Sequence, residues 1–210
     1  MSEASRFAAI VLAGGKSTRL GRDKASESLL GKTLLERVVS RFDGLVGECI
    51  IVRARGQVLP TLTRNDVKIV EDFFPETGPL GGIYSGLAAC ISPYGIVAAC
   101  DMPLLQPALL AELLRLSHGE DLVVPVNRGL MQPLCAVYSK GCLEVIRSQL
   151  SRGSFKVTDL FEFLKPRVLL PNEWKAFDPD GLSFQNLNRD EDLVRAKRLL
   201  LREQHDRTRL

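Results

Sequence analysis

The stretch Ile10-Val-Leu-Ala-Gly-Gly-Lys-Ser-Thr-Arg-Leu-Gly-Arg-Asp-Lys24 constrains this chain more than any other. An apolar run from Phe7 to Leu12 stops at Gly14-Gly15, and polar and basic residues follow until apolar periodicity resumes near Leu29. That order describes a buried first strand running into a loop of backbone amides and cations. Glycine admits positive φ and close approach of a ligand to the main chain, and successive N–H groups in such a loop form an anion-binding concavity. With Lys16, Arg19, Arg22 and Lys24 added, a polyphosphate is the natural guest. A glycine-rich turn with solvated cations is the competing reading of this stretch alone. Two familiar phosphate loops do not fit. A Walker A loop needs a glycine five residues before Gly15, where Ile10 stands, and a dinucleotide fingerprint needs spaced glycines, whereas Gly14 and Gly15 are adjacent and the next is Gly21.

The rest of the chain alternates strand and helix patterns. Thr33 to Phe42 carries apolar residues at helical spacing. Cys49 to Val52 and Gly95 to Cys100 are continuous apolar runs, as expected of strands buried on both faces. Val67 to Val70 is a shorter strand, and Gln57 to Asn65 stays ambiguous because Pro60 interrupts it. Gly78-Pro79-Leu80-Gly81-Gly82 turns into a helix over Ile83 to Ile91, and Ala108 to Leu116 reads as another. Asp121 to Val126 and Pro133 to Tyr138, joined through Asn127-Arg128-Gly129, read as a hairpin-like pair that breaks the alternation. Helices are expected at Gly141 to Leu150 and Ser154 to Leu164, a strand at Arg167 to Leu170, and a final helix from Arg189 to Leu201 with Asn188 as a natural N-cap.

This alternation implies an α/β fold: a single Rossmann-like three-layer domain, with a mostly parallel sheet covered by helices on both faces. It is expected to span residues 1–202, with 203–210 a charged, frayed tail. Gly14, Gly15, Asp72, Gly81 and Asp101 all fall on loops leaving the carboxyl ends of strands, the edge where open α/β sheets bind ligands. Asp101 serves equally well as a turn or N-cap aspartate on local grounds. The net charge of +3 gives no case for bulk nucleic-acid binding, and no apolar run approaches the ~20 residues of a membrane span. The N-terminus lacks a signal peptide's features. Five cysteines without C-x-x-C spacing read as buried thiols of a reducing cytosol, so a cytoplasmic protein is expected.

The full string Leu-Ala-Gly-Gly-x-x-x-Arg-Leu-Gly-x-Asp-Lys is more specific than its glycines. It resembles the signature loop of nucleotidyltransferases of the nucleotide-diphospho-sugar transferase fold, and with Leu12-Ala13-Gly14-Gly15 it is most similar to the molybdenum cofactor guanylyltransferase family. The resemblance implies transfer of GMP from GTP to the phosphate of a molybdopterin acceptor, with release of pyrophosphate and Mg²⁺ as cofactor. Nucleotide binding then falls to Leu12, Ala13, Gly14, Gly15, Lys24, Asp72 and Asp101. Lys24, Arg19 and Asp101 take the catalytic roles, with Asp101 holding the metal. Gly81, Gly82, Gln132, Pro133, Asn186 and Asn188 would face the acceptor. Transient contact with other cofactor-biosynthesis proteins is implied as well. Two positions depart from the pattern. Leu20 replaces a usual methionine, a conservative swap. Arg53 stands where the family often has an asparagine that helps hold guanine, and it lacks that residue's donor–acceptor pair. A cytidylyl or sugar-1-phosphate transferase, or a silent nucleotide-binding module of the same fold, are the alternatives. The reading requires Asp101 to lie within about 15 Å of the Gly14–Lys24 loop, the reach of a triphosphate with its metal.

Overall fold

A computed structural model describes residues 3–14, 23–64 and 66–207. Strand β1 (Phe7–Leu12) is buried along its whole length, no residue of it being more than 7% exposed. It lies between two parallel neighbours, β4 (Glu48–Arg53) and β6 (Tyr94–Ala99). Side chains alternate across a strand, so β1 feeds two cores at once. Phe7, Ala9 and Val11 pack on one face with Leu35, Val38 and Phe42, next to or within helix α1 (Leu34–Ser40), and with Leu109, Leu110, Leu113 and Leu114 of α3 (Pro107–Leu116). Ala8, Ile10 and Leu12 pack on the other with Leu80, Ile83 and Leu87 of α2 (Pro79–Ala89) and Cys142, Ile146 and Leu150 of α4 (Cys142–Ser151). This is the three-layer α/β arrangement expected from the sequence.

Beyond β4 lies the edge strand β5 (Val67–Glu71), again parallel. On the far side of β6 the order continues through β9 (Cys135–Ser139), β7 (Leu122–Asn127) and β10 (Arg167–Leu169). β9 runs antiparallel to both β6 and β7, and the short β8 (Leu130–Met131) forms a hairpin with β7. The break in alternation therefore falls where the hairpin-like pair was expected. The thiols of Cys49, Cys90, Cys100, Cys135 and Cys142 are all buried and free, and desolvation pushes those of Cys100, Cys135 and Cys142 up to about 12.

Four local expectations differ from the structure. Residues 28–33 form a β-hairpin, β2 (Ser28–Leu29) with β3 (Lys32–Thr33), whose turn places Leu30 and Gly31 at φ of 52° and 76°. The buried Arg37 holds it from below by donating to the carbonyls of Leu29 and Leu30. Over 154–164 only a 3₁₀ segment forms, Val157–Glu162. A short helix α5 (Pro171–Trp174) was not anticipated. The last helix, α6, runs from Asp190 to Arg207 instead of ending at Leu201. It continues past residue 202 because Glu203 receives two hydrogen bonds, of 2.7 and 2.9 Å, from the largely buried Arg41.

The contact between α2 and β1 depends on glycine. A Cβ on Gly86 would lie 2.2 Å from Ile10 Cγ2. Gly86→Ala should therefore lower stability by about 1–3 kcal/mol through overpacking, despite alanine's better helix propensity. The check is a fall in urea midpoint with unchanged slope; an unchanged midpoint would show that α2 does not press on Ile10.

Candidate active site

Parallel strands end at one edge, and the last rungs of β1 build the floor of the site. The amides of Ala13 and Gly14 both donate to the Val52 carbonyl, at 2.8 and 3.2 Å, and Leu12 O accepts from Cys100 N at 3.0 Å. A Cβ on Gly14 would stand 2.7 Å from Ala54 N, so only glycine lets the two chains run this close. Three loops, after Leu12, Arg53 and Ala99, thus leave the sheet side by side. They border a cleft of about 860 Å³, a size that suits a small ligand. Leu12, Ala13, Gly14, Lys24, Asp72, Gly82, Asp101 and Asn188 all line it.

Lys24 begins a short 3₁₀ turn, Lys24–Ser26, whose N-cap is Asp23. Its Nζ donates to Asp101 Oδ2 at 2.8 Å and to Asn188 Oδ1 at 2.6 Å. Residues 77 and 164 positions away meet on one ammonium. Lys24 and Asp101 are only 21% and 13% exposed at their side chains, so water screens the pair less than it would at the surface. The second carboxylate oxygen, Asp101 Oδ1, is buried and has no hydrogen-bond partner among the described residues. A bare, anionic oxygen of this kind fits a hard divalent cation that takes one carboxylate from the protein and further oxygens from substrate and water. Among the described residues no group of three or more His, Cys, Asp or Glu could hold a metal by itself.

Asn188 does not cap α6 with its side chain. Arg189 stands at the N-cap position, its carbonyl accepting from Asp192 N, and Asp192 Oδ2 reaches back to accept from the amides of Asn188 and Arg189, both at 2.9 Å. The Asn188 carboxamide, one residue before that cap, meets Lys24 instead. Its place is fixed by the preceding residue, as Leu187 N donates to Asp101 O at 2.9 Å.

Asp72 sits at the end of β5 in a different environment. Its Oδ1 accepts from Phe74 N at 2.9 Å and from the Ser85 hydroxyl at 3.0 Å. Burial outweighs these neutral donors and pushes its carboxyl above the ordinary value. Gly81 is buried in the first turn of α2, where a Cβ would lie 2.2 Å from Thr77 Oγ1 and 3.1 Å from Asp72 Oδ1. Packing, not cleft lining, requires glycine there.

The other expected site residues stand apart. Gln132 turns its side-chain amide back to the Leu130 carbonyl, and the Pro133 carbonyl accepts from the Tyr138 hydroxyl. Neither residue lines the cleft, and nor does the exposed Asn186. Leu134 does. Gly15 and Arg19 lie outside the described residues. Arg53 spends its guanidinium within the protein, on the Gln57 carbonyl at 2.9 Å and Glu71 at 3.1 Å. Gln57, in a segment that gave no clear pattern, ties the Ala13 and Asp23 loops together.

A sequence profile described as "MobA-like NTP transferase domain" matches residues 9–167. The chain belongs to this family. Among its relatives, a molybdenum cofactor guanylyltransferase of Desulfosudis oleivorans is 36% identical over 190 residues, covering 90% of this chain and 93% of that one. A probable molybdenum cofactor guanylyltransferase of Natranaerobius thermophilus is 34% identical over 196 residues, covering 91% and 95%. The crystal structure of molybdopterin-guanine dinucleotide biosynthesis protein A from Archaeoglobus fulgidus superposes with a TM-score of 0.77 at 25% identity, covering 93% of this chain and 99% of that one. The 2-C-methyl-D-erythritol 4-phosphate cytidylyltransferase of Thermus thermophilus, at TM-score 0.68 and 19% identity over 90% of this chain and 97% of that one, shares the fold. The MobA-like match ends at Arg167, the first residue of β10, so Asn188 reaches the cleft from outside the matched segment.

Asp72 yields a test of this electrostatic account. Its folded-state carboxyl titrates above the ordinary 3.8, so its contribution to stability is full below that value and is lost as pH rises through the folded value. Asp72→Asn keeps the acceptor oxygen and removes the desolvated charge. The variant should gain stability relative to wild type between about pH 4 and pH 7, read by urea denaturation at both. A difference that does not grow with pH would contradict a desolvated carboxylate.

Proposed function

We propose that this chain transfers a GMP unit from GTP to the phosphate of a molybdopterin-type acceptor, releasing pyrophosphate. The observation that carries the reading is the Lys24 ammonium held between Asp101 and Asn188 at the head of the cleft, in a chain whose relatives are named for that activity. In the reaction an oxygen of the acceptor's phosphate monoester forms a bond to the α-phosphorus of GTP. The bond from that phosphorus to the bridging oxygen breaks, and pyrophosphate leaves with the electron pair. The attacking oxygen is already anionic, so alignment and charge neutralisation are the protein's main tasks.

The residues divide that work. The backbone of the loop that begins with Leu12, Ala13, Gly14 and Gly15 receives the nucleotide, and Arg19 and Lys24 meet its phosphates; Lys24 brings positive charge to the place where negative charge develops. Asp72 faces the nucleotide from the end of β5. Asp101 would hold the metal, through the oxygen that has no partner among the described residues. Mg²⁺ bound there supplies neutralisation of the crowded phosphate oxygens. Asn188 and Gly82 mark the acceptor side, with Gln132, Pro133 and Asn186 outside the lining.

Pyrophosphate release with GTP, CTP and ATP in turn, each with Mg²⁺ and molybdopterin, tests the assignment. GTP should be preferred. A clear CTP preference overturns the guanylyl reading, and binding without turnover overturns transfer itself. Lys24→Ala should lower kcat by ~10²–10³-fold, the usual effect of losing a group that stabilises transition-state charge. Asp101→Asn should abolish the response to Mg²⁺ while circular dichroism shows the fold retained.

A further inference from the structure

Gln57 touches three separate parts of the cleft wall. Its Nε2 donates to the Ala13 carbonyl and to Asp23 Oδ1, both at 3.1 Å. Its Oε1 accepts from Ala54 N at 3.0 Å. Both protons of the carboxamide nitrogen and a lone pair of its oxygen are thus used, and the reverse orientation would set the amide protons against the Ala54 N–H. The residue itself is pinned by its main chain, since Gln57 N donates to Ala54 O at 3.1 Å and Gln57 O accepts from Arg53 Nη1 at 2.9 Å. At the far end of the link, Asp23 caps the turn that begins with Lys24. Its Oδ1 accepts from Ala25 N at 3.2 Å and its Oδ2 from the Ser26 hydroxyl at 3.2 Å.

We infer that Gln57 is a positioning residue for nucleotidyl transfer: it fixes Asp23 against the end of β1 and so aims the Lys24 ammonium at Asp101 and Asn188. Arg53 belongs to the same device. It holds the 54–57 turn in place by spanning the Gln57 carbonyl and Glu71. The position that departs from the family's asparagine therefore acts here through Gln57 and Lys24. Without Gln57 the Asp23–Lys24 turn keeps its local cap but loses its hydrogen bond to the β4 side of the cleft. An ammonium displaced by even ~1 Å stabilises the transition state much less, a shift that can cost ~10²-fold in rate. Binding of GTP, spread over many contacts, should change little.

This inference rests on the transfer reading proposed above, and the experiment keeps the two apart: a wild-type protein that releases no pyrophosphate sinks that reading, whereas the variants below sink only this one. Gln57→Met preserves the side chain's length and removes its hydrogen bonds. Gln57→Glu, assayed at about pH 8, retains the bond from Ala54 N and sets a carboxylate against Asp23. Both should lower kcat by at least about tenfold with KM for GTP, and its calorimetric Kd, within about twofold of wild type. In a Lys24→Ala background the Gln57→Met substitution should lower kcat by less than about a further twofold, because its effect runs through the missing ammonium. Wild-type kcat in either folded variant, a raised KM with unchanged kcat, or a full additional loss in the Lys24→Ala background overturns the inference. Thermal unfolding identifies the folded variants, and Gln57→Glu carries the test if Gln57→Met does not fold.

Discussion

The rest of the structure depends on the complete burial of β1 between two parallel strands. Its six residues present alternate side chains to two different cores, which leaves no freedom of register. Parallel pairing then obliges β1, β4 and β6 to finish at the same edge. The final hydrogen bonds of that ladder, Ala13 and Gly14 to Val52 and Cys100 to Leu12, are at once the end of the core and the floor of the cleft. The loops that bear Lys24 and Asp101 are therefore placed by hydrophobic packing, and their polar contacts refine a position already set.

Two acids at this edge show how environment separates their use. Asp101 has a lysine at 2.8 Å and an oxygen with no partner among the described residues. A half-sheltered carboxylate with one bare oxygen is costly unless a charge of opposite sign stands beside it, and Lys24 meets that requirement. Among the described residues Asp72 is matched only by the neutral Phe74 amide and Ser85 hydroxyl. Its carboxylate is correspondingly less favoured. One acid is thus paired with a cation, and the other with neutral donors alone among the described residues.

The sequence made the central sheet legible because strands buried on both faces read as unbroken apolar runs, as Phe7 to Leu12 and Cys49 to Val52 do. The hairpin at 28–33 escaped notice because its turn puts leucine, a residue that rarely takes positive φ, at Leu30. α6 was cut short because what extends it is a pairing between Arg41 and Glu203, 162 positions apart. Asn188 looks like an N-cap by local rules, but the helix begins one residue later, with Arg189 at the cap and Asp192 reaching back to the Asn188 and Arg189 amides. Lys24 and Asp101 were readable from motifs. Gln57 was not, since two of its three side-chain hydrogen bonds reach residues 44 and 34 positions away.

The segment beyond residue 167 matters to the cleft more than the extent of the family match suggests. An exposed asparagine at a loop end would sample many positions, whereas a group that orients a reacting site must be held to within about 0.5 Å. Three features restrict Asn188. Leu187 donates to the Asp101 carbonyl, so the asparagine is registered directly against the acid it accompanies. Leu187, Ala196 and Leu200 pack with Leu29, Leu34 and Leu104 in a third, small core. Arg41 then joins the two sides by donating to Pro103 O, two residues after Asp101, and to Glu203 on α6. Backbone, core and ion pair tie the returning helix to the same 101–104 turn. The carboxamide that meets Lys24 is consequently part of the rigid sheet edge, although it arrives from the other end of the chain.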